Sequence, residues 1–438
     1  MAPVTEAERT PDQGTRDLRP ALRRILKNAG SILIGDAGGE ILTAYAIGLA
    51  ALKLGRAGFG TLNEAQAFIE PFEALAGFGL RQVAITIAAR EGGCDGRLRG
   101  TILGVQTGFS LVAFAIALGI AVITGRGSIL GLLLILGVSM MTTPLTVAAT
   151  LPFQFEQKMH RLIFVPFVAS VVRVGATWGA ILLYNAPAGH QLAALAAALT
   201  TAAVTYWRML RHHPTTFTFD RSLARTLLLV AWPAAVLEFV VMAYVRGSYF
   251  LLHSAGPAVV GEYAAADRLV RPVLALAGAL FASSLPTVAV LATERDWSTL
   301  VRLYRKAIVR ILQATIPIVI AAWLLSAWLL RRFVPEYAGA SAPFGILAGG
   351  AVFMFVNQLS TTFVVALGKF RLIMTVAMVN LVVYVALATQ LIPRWQATGA
   401  ATATAVMEVV NTCMQVVIVF ALLRRAARAD GTTGGEAA

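Results

Sequence analysis

The chain has 438 residues, of which 58% are hydrophobic and only 13% are charged, and its mean hydropathy is +0.75. A soluble domain of this length needs far more charge on its surface, so the composition excludes an ordinary soluble globular protein and indicates a membrane protein. The formal net charge of +14 is also typical of nucleic-acid-binding proteins, and the distribution of that charge decides between the two interpretations.

Twelve long apolar runs recur from one end of the chain to the other. Each can cross about 30 Å of hydrocarbon as a helix. The runs are continuous rather than alternating, which favours helices over the strands of a membrane barrel. The predicted fold is therefore an all-α polytopic membrane protein with twelve transmembrane helices. The runs cover residues 29–52, 61–89, 99–123, 128–150, 162–184, 190–210, 227–252, 258–291, 307–330, 340–367, 370–393 and 398–423.

Lysine and arginine are concentrated in every second loop. The N-terminal arm, the loops after even-numbered runs and the C-terminal tail hold 25 of the 36 lysines and arginines, whereas the loops after odd-numbered runs hold six. Cytoplasmic loops are enriched in these residues, so the alternation predicts that both termini are cytoplasmic. The positive charge therefore indicates membrane topology, and no nucleic-acid partner is expected.

The only sizeable polar connector in mid-chain follows the sixth run and divides the chain into two lobes. The predicted organisation is a disordered cytoplasmic arm (1–20), an N-lobe with spans 1–6 (21–210), a cytoplasmic connector (211–226), a C-lobe with spans 7–12 (227–424) and a cytoplasmic tail (425–438).

Two segments at equivalent places in the lobes read as copies of each other. Residues 60–77 read GTLNEAQAFIEPFEALAG and residues 261–278 read GEYAAADRLVRPVLALAG, with seven identities and no gap. Both halves start on the same side of the membrane, so we expect a parallel repeat about an axis along the membrane normal. Glu70 and Arg271, of opposite charge, precede the shared proline, and the sequence leaves open whether they approach each other.

Ionisable side chains recur inside the predicted spans, where each costs about 2.5–3.5 kcal/mol at bilayer depth on insertion scales. Such side chains must face protein or water, which predicts a polar cavity between the lobes. Arginine stays charged and its planar fork pairs with phosphate oxygens. The arginines predicted to attract an anionic lipid headgroup there are Arg173, Arg246, Arg268 and Arg271. The carboxylates predicted to couple transport or to balance charge are Asp36, Glu40, Glu70, Glu238, Asp267 and Glu408.

Charges near the ends of the spans have a simpler interpretation. Glu64, Glu73, Arg81 and Glu262 are expected to lie at a membrane interface or to form ion pairs within one lobe.

Catalytic motifs are missing from the sequence. It contains no GxxxxGK[ST] phosphate-binding loop and no convincing pairing of a nucleophile with a base. The chain is therefore not expected to be an enzyme. No metal site and no cofactor are predicted, and protons or Na⁺ are the candidate coupling ions.

Three segments resemble the polysaccharide flippases of O-antigen type, in the multidrug/oligosaccharidyl-lipid/polysaccharide (MOP) exporter superfamily. Residues 55–91, GRAGFGTLNEAQAFIEPFEALAGFGLRQVAITIAARE, resemble the first two spans of that family. Residues 260–286 and 366–405 are also similar to it, the latter through Gly399-Ala400-Ala401 at the start of span 12. The resemblance extends over about residues 22–423.

This resemblance implies a protein of the bacterial inner membrane. Its substrate would be undecaprenyl-diphosphate-linked oligosaccharide for O-antigen, capsule or exopolysaccharide synthesis, moved to the periplasmic leaflet by alternating access of two six-helix bundles. Membrane lipids, a glycan polymerase and the chain-length machinery are candidate partners. The family often carries Arg-x-Asp on span 7. Here Ser248 stands where that aspartate would follow Arg246, so the coupling role that the resemblance would assign to the aspartate has no residue to carry it in this chain.

Other functions are compatible with parts of this pattern. A cation-coupled multidrug or metabolite antiporter of the same fold would favour carboxylates, whereas the arginines favour an anionic lipid. A lipid II flippase commonly carries two further spans. A glycan polymerase or ligase should display a large outer loop, and a scaffold would not need charges inside its spans.

Overall fold

The computed structural model describes residues 19–433 except 92, 157, 214 and 215, with side chains from residue 38 onward except at 272–287 and a few other positions. Within this range the chain forms eleven α-helices. They are α1 (Arg19–Gly77), α2 (Leu80–Glu91), α3 (Gly96–Ile123), α4 (Leu130–Phe155), α5 (Phe164–Leu183), α6 (Pro187–His212), α7 (Arg221–Leu252), α8 (Pro257–Thr293), α9 (Trp297–Phe333), α10 (Ser341–Ala366) and α11 (Phe370–Thr433).

The two longest helices each contain a sharp kink. Gly55, with φ of 65°, divides α1 into α1a (19–54) and α1b (56–77), and Gln396, with φ of 47°, divides α11 into α11a (370–395) and α11b (397–433). A Cβ atom on Gly399 would lie 2.2 Å from the carbonyl oxygen of Leu391, eight residues earlier. The two halves of α11 therefore fold back against each other, and glycine permits that close approach.

Eight helical stretches of the described chain are long and apolar enough to cross a membrane by length and composition. Two of them, Gly38–Gly77 and Arg371–Arg428, contain the kinks at Gly55 and Gln396. The prediction of an all-α polytopic membrane protein with two lobes is confirmed. Helices α6 and α8, which also coincide with predicted spans, are not among the eight, so the count of twelve crossings stays a prediction.

Helix α7 packs against both halves of the molecule. Near its start, Leu223, Leu227 and Ala231 are buried in one cluster with residues of α2 and α3, whereas Tyr249 and Leu252 near its end belong to the core of the C-lobe. Asp220 caps α7 by accepting hydrogen bonds from the backbone N–H groups of Ser222 (2.7 Å) and Leu223 (3.1 Å).

The cap also ties the start of α7 to α3. Arg97 of α3 forms an ion pair of 3.1 Å with Asp220. The side-chain hydrogen bond from Ser222 lowers the pKa of the Asp220 carboxyl, so the cap stays charged at neutral pH.

The lobes make a close backbone contact where the two copies of the repeat begin. A Cβ atom on Gly60 would lie 1.8 Å from the carbonyl oxygen of Pro257, and one on Gly261 would lie 2.0 Å from that of Arg56. No side chain fits at either place, so α1b and α8 touch through backbone atoms at equivalent positions of the repeat.

This contact predicts the effect of adding one methyl group. Gly60→Ala forces the two helices apart, so we expect a lower melting temperature and a longer distance between spin labels on α1b and α8. Gly48→Ala is the matched control, because an added Cβ there meets nothing within 4 Å. It should be neutral or stabilising by up to about 1 kcal/mol, as for helical glycines in general. Equal melting temperatures for the two variants would contradict the contact.

Candidate functional site

Polar side chains line the facing sides of α1b, α7 and α8 beyond the glycine contact. Asn63, Gln66 and Glu70 recur on α1b with spacings of three and four residues, and so share one helix face. Their partners come from the C-lobe, on α7 and α8. The repeat copies therefore meet along a polar seam, which has four levels that begin at the glycine contact.

The first level of the seam holds an ion pair between the lobes. Arg56 at the start of α1b pairs with Glu262 on α8. The hydroxyl of Tyr337, in the turn before α10, donates a hydrogen bond of 2.8 Å to the carbonyl oxygen of Ala51 on α1a. The structure corrects the expectation for Glu262, because its partner lies in the other lobe rather than in its own.

The second level is centred on Glu64, which is 3% exposed. Arg126, from the turn between α3 and α4, donates a hydrogen bond of 2.7 Å to its carboxylate and one of 2.9 Å to the carbonyl oxygen of Phe250. His253, after the end of α7, places Nδ1 2.6 Å from the same Glu64 oxygen. The Arg126 guanidinium also lies 5.3 Å from the ring centre of Phe68. Glu64 thus joins two segments that belong to different lobes.

The third level holds Arg268 of α8 between neutral amides. Its Nε donates a hydrogen bond of 3.0 Å to Asn63 Oδ1, and its Nη2 donates one of 2.5 Å to Gln66 Oε1. Gln66 in turn donates a hydrogen bond of 3.0 Å to Gln191 on α6. Among the described residues no carboxylate forms an ion pair with Arg268, although the neighbouring Asp267 attracts it electrostatically.

A small chamber lies beside Arg268, between the lobes. Arg173 of α5 and Arg268 of α8 both line it, together with Thr177 and His190 of the N-lobe. Its volume of about 10 Å³ is close to what one water molecule needs. Arg173 forms no hydrogen bond or ion pair with the part of the chain that the structure describes. Two arginines that form no ion pair with a described carboxylate therefore face the same space, and Glu40 and Asp267 lie near enough to attract them electrostatically.

The fourth level is a cluster of two acids and two arginines. Glu70 pairs with Arg246 of α7. Arg246 also lies 3.6 Å from Asp267, which accepts hydrogen bonds of 2.9 Å from Arg271 Nε and from the Tyr249 hydroxyl. The sequence left a Glu70–Arg271 contact open, and the structure pairs these residues with Arg246 and Asp267 instead. Arg246 and Arg271 are therefore neutralised by acids in this arrangement.

The remaining predicted carboxylates lie away from this seam. Glu40 is exposed on α1a, and the side chain of Asp36 lies outside the described residues. Glu238 is half-buried on α7, with a carboxylate oxygen 4.0 Å from where a Cβ of Gly77 would lie. The described structure does not bring Glu40 and Glu238 into the cluster around Glu70.

Glu408 lies in a separate cavity inside the C-lobe. It accepts hydrogen bonds from the side-chain amides of Asn357 on α10 (2.6 Å) and Asn411 on α11b (3.3 Å). The cavity has a volume of about 380 Å³ and is lined by α7, α10, α11a and α11b. Its polar lining comes from Tyr244, Asn357, Gln358, Thr361, Asn380, Glu408, Asn411 and Gln415.

Sequence reasoning missed the neutral half of the seam. Asn63, Gln66, Arg126, Gln191 and His253 are not among the predicted site residues. The signal for the first two was present, because Asn63, Gln66 and Glu70 share a helix face. The roles of Arg126, Gln191 and His253 could not be predicted from the sequence, because their contacts depend on how distant segments of the chain pack together.

Comparison with known proteins places the chain in a family. A family model described as "Polysaccharide biosynthesis protein" matches residues 25–292, more than half of the chain. The chain belongs to this family. This match confirms the polysaccharide family that the sequence predicted. No curated protein matches the chain.

Solved structures of the MOP superfamily share the fold of this family member. An inward-facing multidrug resistance transporter of the MATE family has a TM-score of 0.72 at 15% identity, over 88% of this chain and 96% of that one. The lipid II flippase MurJ, in an inward closed conformation, has a TM-score of 0.68 at 15% identity, over 87% of each chain. A MOP transporter from Pyrococcus furiosus has a TM-score of 0.63 at 14% identity, over 92% of this chain and 95% of that one. The protein is thus a multi-pass membrane protein with the MOP transporter fold.

The buried Glu64–Arg126 pair predicts a large effect on stability. Arg126→Gln removes the arginine partner of the Glu64 carboxylate and leaves only the His253 contact, in a site where the Arg126 and Glu64 side chains are both less than a tenth exposed. Removing one partner of a buried pair costs about 3 kcal/mol or more. Denaturant titration in detergent should show this loss, and adding Glu64→Gln should recover part of it.

The control for this experiment is Lys158→Gln. Its pair with Glu156 is 45% and 30% exposed, so we expect a loss below about 1 kcal/mol. If Arg126→Gln were as mild as Lys158→Gln, the buried pair would not stabilise the contact between the lobes.

Proposed function

We propose that this family member moves a lipid-linked oligosaccharide with a diphosphate headgroup across the inner membrane, for O-antigen, capsule or exopolysaccharide synthesis. One observation carries the proposal: Arg173 and Arg268 line the same chamber between the lobes, and neither forms an ion pair with a carboxylate within the described structure. Two such cations in a low-dielectric site favour an anionic ligand. Arginine also matches the oxygen geometry of a phosphate.

The four arginines predicted from the sequence divide into two pairs under this proposal. Arg173 and Arg268 bind the diphosphate. Arg246 and Arg271 are held by Glu70 and Asp267, so they organise the seam while the lobes are in contact. The arrangement also disfavours the alternative of a drug antiporter, because Arg173 and Arg268 would repel a cationic substrate from the chamber.

The size of the chamber supports alternating access. A space of about 10 Å³ excludes a sugar, so the lobes must separate before substrate enters. Separation breaks the Arg56–Glu262 and Glu70–Arg246 pairs and the bonds from Arg268 to its amides. A diphosphate offers Arg268 charge-assisted hydrogen bonds, which are about twice as strong as bonds to neutral groups. Substrate binding thereby offsets part of the cost of opening.

Coupling and cellular context complete the proposal. Both termini lie in the cytoplasm, as the lysine and arginine distribution predicts. Protons or Na⁺ are the candidate coupling ions, and Asp36, Glu40, Glu238 and Glu408 are the carboxylates available outside the seam. The glycan polymerase and the chain-length machinery act on the delivered substrate.

The proposal is tested by removing the charges of Arg173 and Arg268. Arg173→Gln and Arg268→Gln should each lower surface glycan at least tenfold at unchanged protein level, because the headgroup loses a cation. Arg173→Lys should retain more export than Arg173→Gln. Arg394→Gln removes an exposed arginine and is the matched control, with export expected to be normal.

A reconstituted assay separates the rival functions. Proteoliposomes should translocate a short-chain polyprenyl-diphosphate sugar, and Arg268→Gln should slow this step. Normal glycan export by both Gln variants would overturn the proposal. Uptake of a cationic drug that is unaffected by either variant would favour the antiporter instead.

A further inference from the structure

Four cations are grouped on one exposed face at the start of α9. Arg302, Arg305, Lys306 and Arg310 are separated by three, one and four residues, which places them along a single stripe of the helix. All four are exposed, and with Val309 they line a groove of about 420 Å³. The groove is lined by α9 alone, whereas residues of both lobes line the arginine chamber.

These cations have little local neutralisation, which comes from the electrostatic attraction between Asp296 and Arg302. Arg302 donates a hydrogen bond of 3.0 Å to the Thr299 hydroxyl, which is neutral. No ion pair joins any of the four to a carboxylate among the described residues. Asp296, the helix cap, is engaged by the backbone N–H of Thr299 (3.0 Å) and the hydroxyl of Ser298 (3.0 Å). Four like charges within about two and a half helical turns repel one another, so an anion bound between them relieves that repulsion.

The corresponding helix of the N-lobe satisfies its cations internally. By chain order, α3 has the place in the N-lobe that α9 has in the C-lobe. Arg97 of α3 pairs with Asp220 at 3.1 Å. Arg99 is fully buried and donates hydrogen bonds to the carbonyl oxygens of Asp95 (3.3 Å) and His213 (3.4 Å). The cations at the start of α3 are thus engaged by protein groups, whereas no ion pair to a described carboxylate is formed by the four cations of α9.

The rest of α9 sets the depth of the cluster in a bilayer. After Arg310, the same face of α9 carries apolar side chains that are also exposed. They are Ile316, Ile320, Leu324 and Trp328, which are between 44% and 61% exposed. Cations return at Arg331. Arg310 and Arg331 are 21 residues apart, about 31 Å along a helix, which matches about 30 Å of hydrocarbon. The cation groove is therefore at the depth of lipid phosphates, and the apolar face of α9 that follows it lies at the depth of the acyl chains.

We propose that the groove formed by Arg302, Arg305, Lys306 and Arg310 is a binding site for one anionic glycerophospholipid of the surrounding leaflet. The phosphate and the anionic headgroup bind among the four cations, and the acyl chains lie along Ile316, Ile320 and Leu324. The site is distinct from the proposed substrate path and does not depend on the proposed function. The family match ends at residue 292, before α9 begins at Trp297.

Native mass spectrometry of the full-length protein in detergent measures this binding directly. The probes are phosphatidylglycerol and phosphatidylcholine, which share acyl chains and a phosphate but differ in net charge. Wild-type protein should retain one phosphatidylglycerol more tightly than any phosphatidylcholine. The variant R302Q/R305Q/K306Q/R310Q should bind that lipid at least about tenfold more weakly, because each cation near an anionic lipid contributes to affinity.

The matched control is R221Q/R225Q/R424Q/R425Q, which removes four exposed cations elsewhere. It should stay within about threefold of wild type. Equal losses in the two quadruple variants would overturn the proposal, since they would indicate only a general attraction to positive surface. Equal affinity of wild type for the two lipids would overturn it as well.

Two further measurements cover the other outcomes. The half variants R302Q/R310Q and R305Q/K306Q should each show intermediate losses, which keeps the test decisive if the quadruple variant does not fold. A short polyprenyl diphosphate is the third probe. If the α9 variants lost affinity for it and kept their affinity for phosphatidylglycerol, the groove would be a substrate site and the proposal would be wrong.

Discussion

Charge inside a bilayer must be surrounded by partners or by water, and this constraint shapes the contact between the lobes. Along the seam between the lobes, most ionisable side chains described are placed against complementary groups: Glu64 against Arg126 and His253, and Glu70 against Arg246. The partners come from helices distant in sequence. Satisfying the charges therefore requires the two lobes to meet, and separating the lobes exposes them again.

The exceptions to this rule are informative because they are few and localised. Arg173 and Arg268 face a closed chamber, and the four cations of α9 face the surroundings of the protein. Where several cations share a space and form no ion pair with a described carboxylate, we infer that a group from outside the protein completes the site. The two places differ in geometry: one is bounded by both lobes and changes when they move, whereas the other is fixed on one helix.

The architecture was largely predictable from the sequence because its causes are local. Three features are visible in the sequence alone: the long apolar runs, the charge bias of the loops and the repeat. Together they predict the helical class and the two lobes. The site was predicted only in part. That Arg246 and Asp267 lie inside the protein follows from the cost of burial, but their partners do not. Helical spacing groups residues on one face and carries no information about which face of another helix opposes it, so the Glu70–Arg246 pair could not be derived.

The meeting of Gly60 with Gly261 has a consequence for symmetry. In a parallel repeat, equivalent residues of the two halves touch only where they lie beside the rotation axis that relates the halves. The axis therefore passes between these two glycines, and at this level it is occupied by backbone atoms. A substrate path along the axis is closed here by the main chain itself. No change of side-chain conformation can open it, so passage at this end requires α1b and α8 to move as whole helices.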